Sequence, residues 1–206
     1  MSKKILVVTG GIGAGKTSFV RFLKANGYPV LDADSIAKEL LYGKYLARTK
    51  VILGDDITNN DGTIKKDLIR SRIFESNSTR ENLNALTRDV VIPEIIKQAE
   101  KIEGEPCFVE MALLFEFYGK RFWYKYFSGA IAICCEESVA LLRMKIRNPD
   151  ISDSEAKKIL DSQLSYKIKL EWADISFDTT HMKIEDYEPL VTSMWPKKHV
   201  TADATL

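Results

Sequence analysis

Cysteine is scarce in this chain of 206 residues: there are three, Cys107, Cys134 and Cys135. An odd number set in apolar, strand-like runs excludes a disulfide framework, and the spacing is not that of zinc ligands. The three read as small core side chains of a protein from a reducing compartment. Histidine is scarcer still: His181 and His199 lie in late, irregular sequence without a matching nucleophile and read as surface residues. No stretch approaches the roughly 20 apolar residues of a membrane span. The start "MSKKILVVTG" sets basic residues before apolar ones, as a signal peptide does, but the run breaks at Thr9-Gly10, short of the apolar region such a peptide needs. Neither sign of charge dominates, because 30 Lys and Arg face 29 Asp and Glu for a net charge of +1. That balance gives no general attraction to nucleic acid or to a membrane surface, so any phosphate binding has to come from local clusters. No repeat, low-complexity tract or Pro/Gly linker marks a domain boundary, and the length suits one domain carrying an inserted subdomain. The expectation is a soluble, cytoplasmic protein with no nucleic acid or membrane partner, a monomer or small homo-oligomer. Its last ten residues, "KKHVTADATL", read as a frayed polar tail.

Short apolar runs alternate with helical stretches, the pattern of an α/β fold with a mostly parallel sheet. Five runs read as strands: "KILVV", "YPVLDA", "CFVEMALL", "GAIAICC" and "ISFDT". Between the first two, "KTSFVRFLKANG" has Phe19, Phe22 and Leu23 at helical spacing and stops at Asn26-Gly27. From Ser35 to about Glu103 the patterns are helical, as in "DSIAKELLYGKYLARTKVIL" and in Ser78 to Ile102, with no convincing strand. A second helical excursion, "ESVALLRMKIRNPDISDSEAKKILDSQLSYKIKLEWA", breaks at Asn148-Pro149-Asp150. It restarts at Ser152, a candidate N-cap with an acid, Glu155, three positions on. The expected organisation is a single domain of three parts: a sheet-bearing core (about 1–34, 104–136 and 172–195), a helical insertion placed to build a substrate pocket over the sheet edge (about 35–103) and a helical lid (about 137–171).

The stretch "VVTGGIGAGKTSF" fits G-x-x-x-x-G-K-[ST] through Gly10, Gly15, Lys16 and Thr17, directly after an apolar strand and at the start of a helix. In such a P-loop the backbone N–H groups face phosphate oxygens, Lys16 spans the outer phosphates and the Thr17 hydroxyl ligates magnesium. The fold expected is therefore P-loop NTPase-like: three layers around a mostly parallel five-stranded sheet. Asp32 and Asp34, in "LDADS", alternate at the end of the second strand, at the carboxyl edge of the sheet, where one carboxylate can take or orient the proton of an attacking hydroxyl. Helix capping is the other use of Asp-x-Asp at this place. Glu110 stands in the apolar run "FVEMALLFE", where a carboxylate needs a partner: water-bound magnesium or a structural ion pair. Arg143 and Arg147, in "LLRMKIRNP", are four apart on one helical face and can close over ATP phosphates from the lid, with Arg147 favoured by its place at the helix end. Trp123, Trp172 and Trp195 read as core or interface anchors.

With these residues in place, the chain resembles the dephospho-CoA kinase family over nearly its whole length. The carrying segments are "TGGIGAGKTSF", "VLDADSIAKELL", "DGTIKKDLIRSRIF", "ALLFE", "LLRMKIRN" and "SQLSYKIKLEWADISFDTT", in the family's order. The resemblance implies phosphorylation by MgATP of the ribose 3′-hydroxyl of dephospho-CoA, a small-molecule acceptor received by the helical insertion. It implies that Gly11, Ile12, Gly13, Ala14, Gly15, Lys16 and Thr17 hold ATP, that Asp34 is the general base assisted by Asp32, and that Arg147 closes from the lid. Gln163 and Lys167 match positions on the helix after the lid, and Ala173-Asp174 match the entry to the last strand. The family usually has Pro where this chain has Ala112, Asp at Asn148, Asn at Thr179 and His-Pro at Arg88-Asp89. Two alternatives stand beside this reading: a P-loop kinase for a nucleoside monophosphate or other small metabolite, and a catalytically weak nucleotide-binding relative.

Overall fold

The run Ile5 to Val8 is at most 5% exposed, as a central strand covered on both faces requires. It opens β1 (Ile5–Gly10), which pairs in parallel with β3 (Cys107–Glu110) on one side and β4 (Gly129–Cys134) on the other. With β2 (Val30–Asp32) and β5 (Ile175–Asp178), the five strands form one sheet in the order β2-β3-β1-β4-β5. The computed structural model describes residues 4–104, 106–182 and 184–194. Trp195, His199 and the segment read as a polar tail lie outside the described residues.

All five strands lie where apolar runs predict them, and β3 is shorter than its run. The chain leaves the sheet after Glu110, where the Met111 N–H donates to the Val8 carbonyl at 2.9 Å, and turns into α6 (Leu114–Phe122). Helix α1 (Lys16–Ala25) buries Phe19, Val20 and Leu23 against the sheet, with the Phe19 ring 5.5 Å from that of Phe177. It ends as the Asn-Gly pair predicts. Gly27 takes φ 78°, the Gly27 N–H donates to Lys24 and the Tyr28 N–H reaches back to Leu23, both at 3.1 Å.

The chain folds as two compact units, one holding residues up to Leu31 and from Ile102 onward, the other Asp32 to Lys101. In the first, the excursion after β4 is α7 (Glu137–Arg147), α8 (Asp153–Asp161) and α9 (Tyr166–Trp172). Ser152 caps α8 by accepting the Glu155 N–H. Lys157 joins the first two helices by reaching Glu137 at 3.1 Å, and Lys145 pairs with Asp153. Trp123 is fully buried, with Phe115 between it and Trp172. A last helix, α10 (Ile184–Met194), follows β5.

The second unit is helical: α2 (Ala33–Glu39), α3 (Leu46–Leu53), α4 (Lys66–Glu75) and α5 (Asn77–Lys101). Among its described residues the only strand-like pairing is the bridge between Thr58 and Ile64. The first stretch of helical pattern is interrupted by a π-turn at Leu40–Lys44, closed by the Tyr45 N–H on the Leu40 carbonyl at 2.8 Å. The Leu41 carbonyl belongs to this turn. The buried Thr49 hydroxyl takes it up at 2.8 Å, with the Tyr45 carbonyl at 3.1 Å. Arg72 forks onto both Asp56 carboxylate oxygens at 2.7 Å and also meets the Leu53 carbonyl. Among the described residues no helix is long and apolar enough to cross a membrane.

Thr49→Val keeps shape but leaves a buried carbonyl without its donor. The loss in urea denaturation should be about 1–3 kcal/mol, and an unchanged midpoint would remove Thr49 from this role. The three cysteines are free and buried, and burial pushes the Cys134 thiol up to about 11 against the Lys169 charge and a hydrogen bond from Gly11. A disulfide exchange reagent at neutral pH should therefore titrate none of them in the native protein and all three in denaturant.

Candidate active site

The loop Gly10 to Thr17 joins β1 to α1, and two of its glycines are required by contact. A side chain at Gly10 (φ 151°) would run into the Ile133 carbonyl oxygen of the neighbouring strand. At Gly13 (φ 73°) a Cβ would lie 2.8 Å from the Ala140 carbonyl oxygen, so α7 rests directly on the loop. Gly15 takes φ 89° and starts α1, leaving the first-turn N–H groups at a helix N-terminus suited to anions.

Lys16 and Glu110 meet at 2.7 Å, with side chains 15% and 24% exposed. Glu110 therefore stands in an ion pair with the P-loop lysine. Thr17 is exposed on the first turn of α1, and its hydroxyl has no protein partner among the described residues. No group of three His, Cys, Asp or Glu able to hold a metal occurs among the described residues. The oxygen donors at hand, the Thr17 hydroxyl and the Glu110 carboxylate, suit magnesium, which usually takes one or two protein ligands and fills its shell with water and phosphate.

Arg143 and Arg147 are separated by their surroundings. The Arg143 guanidinium donates to the Thr179 hydroxyl at 3.0 Å, to the Thr179 carbonyl at 2.8 Å and to the Gly13 carbonyl at 3.3 Å. Thr179, 1% exposed, passes its own proton to the Ala14 carbonyl at 2.8 Å. Arg143 thus clasps the loop to the end of β5 through carbonyl oxygens. Arg147 is exposed at the end of α7 with no ion-pair partner among the described residues.

A third hold on the loop went unread in the sequence. The Gln163 Oε1 accepts the Ile12 N–H at 3.1 Å and the Lys169 ammonium at 3.4 Å. Lys169, fully buried, pairs with Glu116 at 2.6 Å. The signal available was Glu116 itself, a carboxylate in the same apolar run as Glu110 and in equal need of a partner. Lys167, the lysine matched by resemblance, is exposed. A cavity of about 230 Å³ lies beside the loop, bordered by Gly11, Ala14, Cys135, Ala140, Gln163 and Tyr166.

In the second unit Asp32 caps α2, its carboxylate accepting the Ser35 N–H at 3.0 Å and the Ser35 hydroxyl at 2.8 Å. Asp34 is exposed on the first turn of the same helix. His181 is exposed.

A family model described as dephospho-CoA kinase, CoaE, matches residues 4–183. The chain belongs to this family. A dephospho-CoA kinase of Helicobacter hepaticus is 32% identical over 171 residues, 82% of this chain and 81% of the relative. One of Colwellia psychrerythraea is 28% identical over 203 residues, 98% of each chain. A solved dephospho-CoA kinase from Campylobacter jejuni shares the fold with a TM-score of 0.65 at 23% identity, over 93% of this chain and 96% of that one.

The points at which this dephospho-CoA kinase family member differs from the usual family pattern have distinct surroundings. The Ala112 carbonyl accepts the buried Thr9 hydroxyl at 3.0 Å, a bond that needs no particular side chain at 112. Thr179 supplies one donor and one acceptor from a single hydroxyl, enough to serve both Ala14 and Arg143. Asn148 ends α7 in the open. Arg88 and Asp89 lie within α5, with Asp89 4.0 Å from Arg48.

Burial works to raise the Asp32 carboxyl. The Ser35 N–H and hydroxyl, the Asp34 N–H and the Lys38 charge together hold it below its ordinary value. A depressed folded-state value means that the cap stabilises at neutral pH and stops doing so as pH falls through that value. Asp32→Ala should therefore destabilise the protein by about 0.5–2 kcal/mol at pH 7. The gap to the wild type should close in acid, and a gap independent of pH would show that the charged cap contributes nothing.

Proposed function

We propose that the protein transfers the γ-phosphoryl group of MgATP to the ribose 3′-hydroxyl of dephospho-CoA, giving CoA and ADP. The observation that carries this is a P-loop with its lysine in place, Lys16 held 2.7 Å from Glu110, within a chain that matches the dephospho-CoA kinase family from residue 4 to 183. The loop from Gly11 to Thr17 takes the ATP phosphates. Lys16 exchanges Glu110 for phosphate oxygens, a swap open to it because both side chains retain some exposure. Thr17 and Glu110 would hold magnesium, which neutralises charge on the phosphates when bound.

The acceptor oxygen attacks the γ-phosphorus, the bond to the bridging oxygen breaks, and ADP departs with that electron pair. Asp34 takes the hydroxyl proton and Asp32, by capping α2, keeps the turn that bears Asp34 in shape. Arg147 carries the lid's contribution, a guanidinium free to meet charge on the group in transfer. Arg143 acts on ATP indirectly by fixing the loop. Little covalent chemistry is asked of the protein, so alignment and charge account for most of the rate. A net charge of +1 gives no general attraction to nucleic acid or to a membrane surface, and the reading includes a soluble cytoplasmic protein, a monomer or small homo-oligomer.

Release of ADP from MgATP with dephospho-CoA, against a panel of nucleoside monophosphates, tests this reading. Saturable turnover confined to dephospho-CoA is expected; turnover with a panel member alone would reassign the acceptor. Lys16→Ala and Asp34→Asn should each reduce kcat by at least about a hundredfold, the second with ATP binding retained. Near-normal kcat in Asp34→Asn would remove Asp34 from the base role.

A further inference from the structure

A fully buried ammonium is an unusual thing to place beneath a ligand-binding loop. Lys169 is 0% exposed, and apolar residues of similar volume would serve stability as well or better. Its surroundings show what the charge holds together. Glu116, on α6, receives Lys169 at 2.6 Å on Oε1, and the same oxygen accepts the Leu164 N–H at 3.2 Å. Lys169 also faces the Gln163 Oε1, which receives the Ile12 N–H of the P-loop. Both groups facing that oxygen are donors, so the amide can point only one way, with its carbonyl toward the loop.

Three separate stretches, α6, the α8–α9 connection and α9, thus converge on one cation and end on a single backbone amide of the P-loop. Arg143 holds the other side of the loop at Gly13 and Ala14 through Thr179. The two holds come from opposite ends of the helical excursion, α7 at its start and the α8–α9 connection near its end, so the segment that carries Arg147 is bracketed by its own grips on the loop.

We infer that Gln163 and Lys169 are positioning residues for the nucleotide: the Glu116–Lys169–Gln163 chain fixes the loop at Ile12 and so sets its affinity for ATP phosphates. This rests on the loop's being an ATP site and is independent of which acceptor is used. Among the described residues Glu116 Oε2 is buried with no hydrogen-bond partner, so the carboxylate depends on Lys169, and removing the lysine alone would strand a charge. Two variants avoid that outcome. Gln163→Leu removes the acceptor at nearly constant size. Lys169→Met combined with Glu116→Gln removes both charges together.

The test is calorimetric binding of MgATP without acceptor, together with KM for both substrates and thermal melting. Gln163→Leu should bind MgATP about tenfold more weakly, with the acceptor KM within about twofold and melting within about 3 °C of the wild type. The double variant should show the same loss confined to nucleotide. Unchanged MgATP affinity in either variant would overturn the inference. Equal losses for both substrates in step with a fall in melting temperature would also overturn it, since that is what a purely structural role produces. If the wild type binds MgATP but fails to phosphorylate dephospho-CoA, the proposed acceptor fails and the binding data still decide this point.

Discussion

A loop that binds phosphate with its own amides has few hydrogen bonds left to hold its own shape, so neighbours must impose that shape. Here β1 is clamped between β3 and β4, and the chain emerges at Gly10 so close to Ile133 that no side chain fits. From there the side-chain holds on the loop come from distant sequence. Arg143 and Thr179 take its carbonyls, Gln163 takes the Ile12 amide, and Glu110 takes the lysine. The arrangement leaves the helix N-terminus at Lys16 and Thr17 open.

Two carboxylates of one apolar run, Glu110 and Glu116, each hold a lysine, and their difference is one of access. Lys16 and Glu110 keep partial exposure, so the pair can separate when a phosphate offers a better partner. Lys169 is sealed and cannot exchange Glu116 for anything without leaving a charge in a low-dielectric interior. The first pair suits a residue that changes partner during a reaction, the second one that never does. The same chemical pairing is thus open to exchange in one place and sealed in the other.

The helical unit solves a different problem. Its chain must turn repeatedly without a sheet to order it, and polar anchors stand at the turns. Asp32 closes the start of α2, Thr49 repairs the π-turn, and Arg72 gathers the turn after α3 by holding Asp56 and the Leu53 carbonyl.

Much of this was legible locally. Five apolar runs became five strands, Asn26-Gly27 closed α1, Ser152 capped α8, and the spacing of Gly10, Gly15, Lys16 and Thr17 announced the loop. Such signals lie within a few residues of one another, where periodicity and backbone preference act. The sequence by itself therefore determined the strands, the fold class and the P-loop motif. Only the tertiary structure decided that Arg143 grips loop carbonyls while Arg147 stays exposed, that Glu110 takes Lys16, and that Lys169 rather than Lys167 is buried against Glu116. A charge finds its partner according to which elements the sheet order brings side by side. In the order β2-β3-β1-β4-β5, even consecutive strands that lie side by side are separated by dozens of residues of chain.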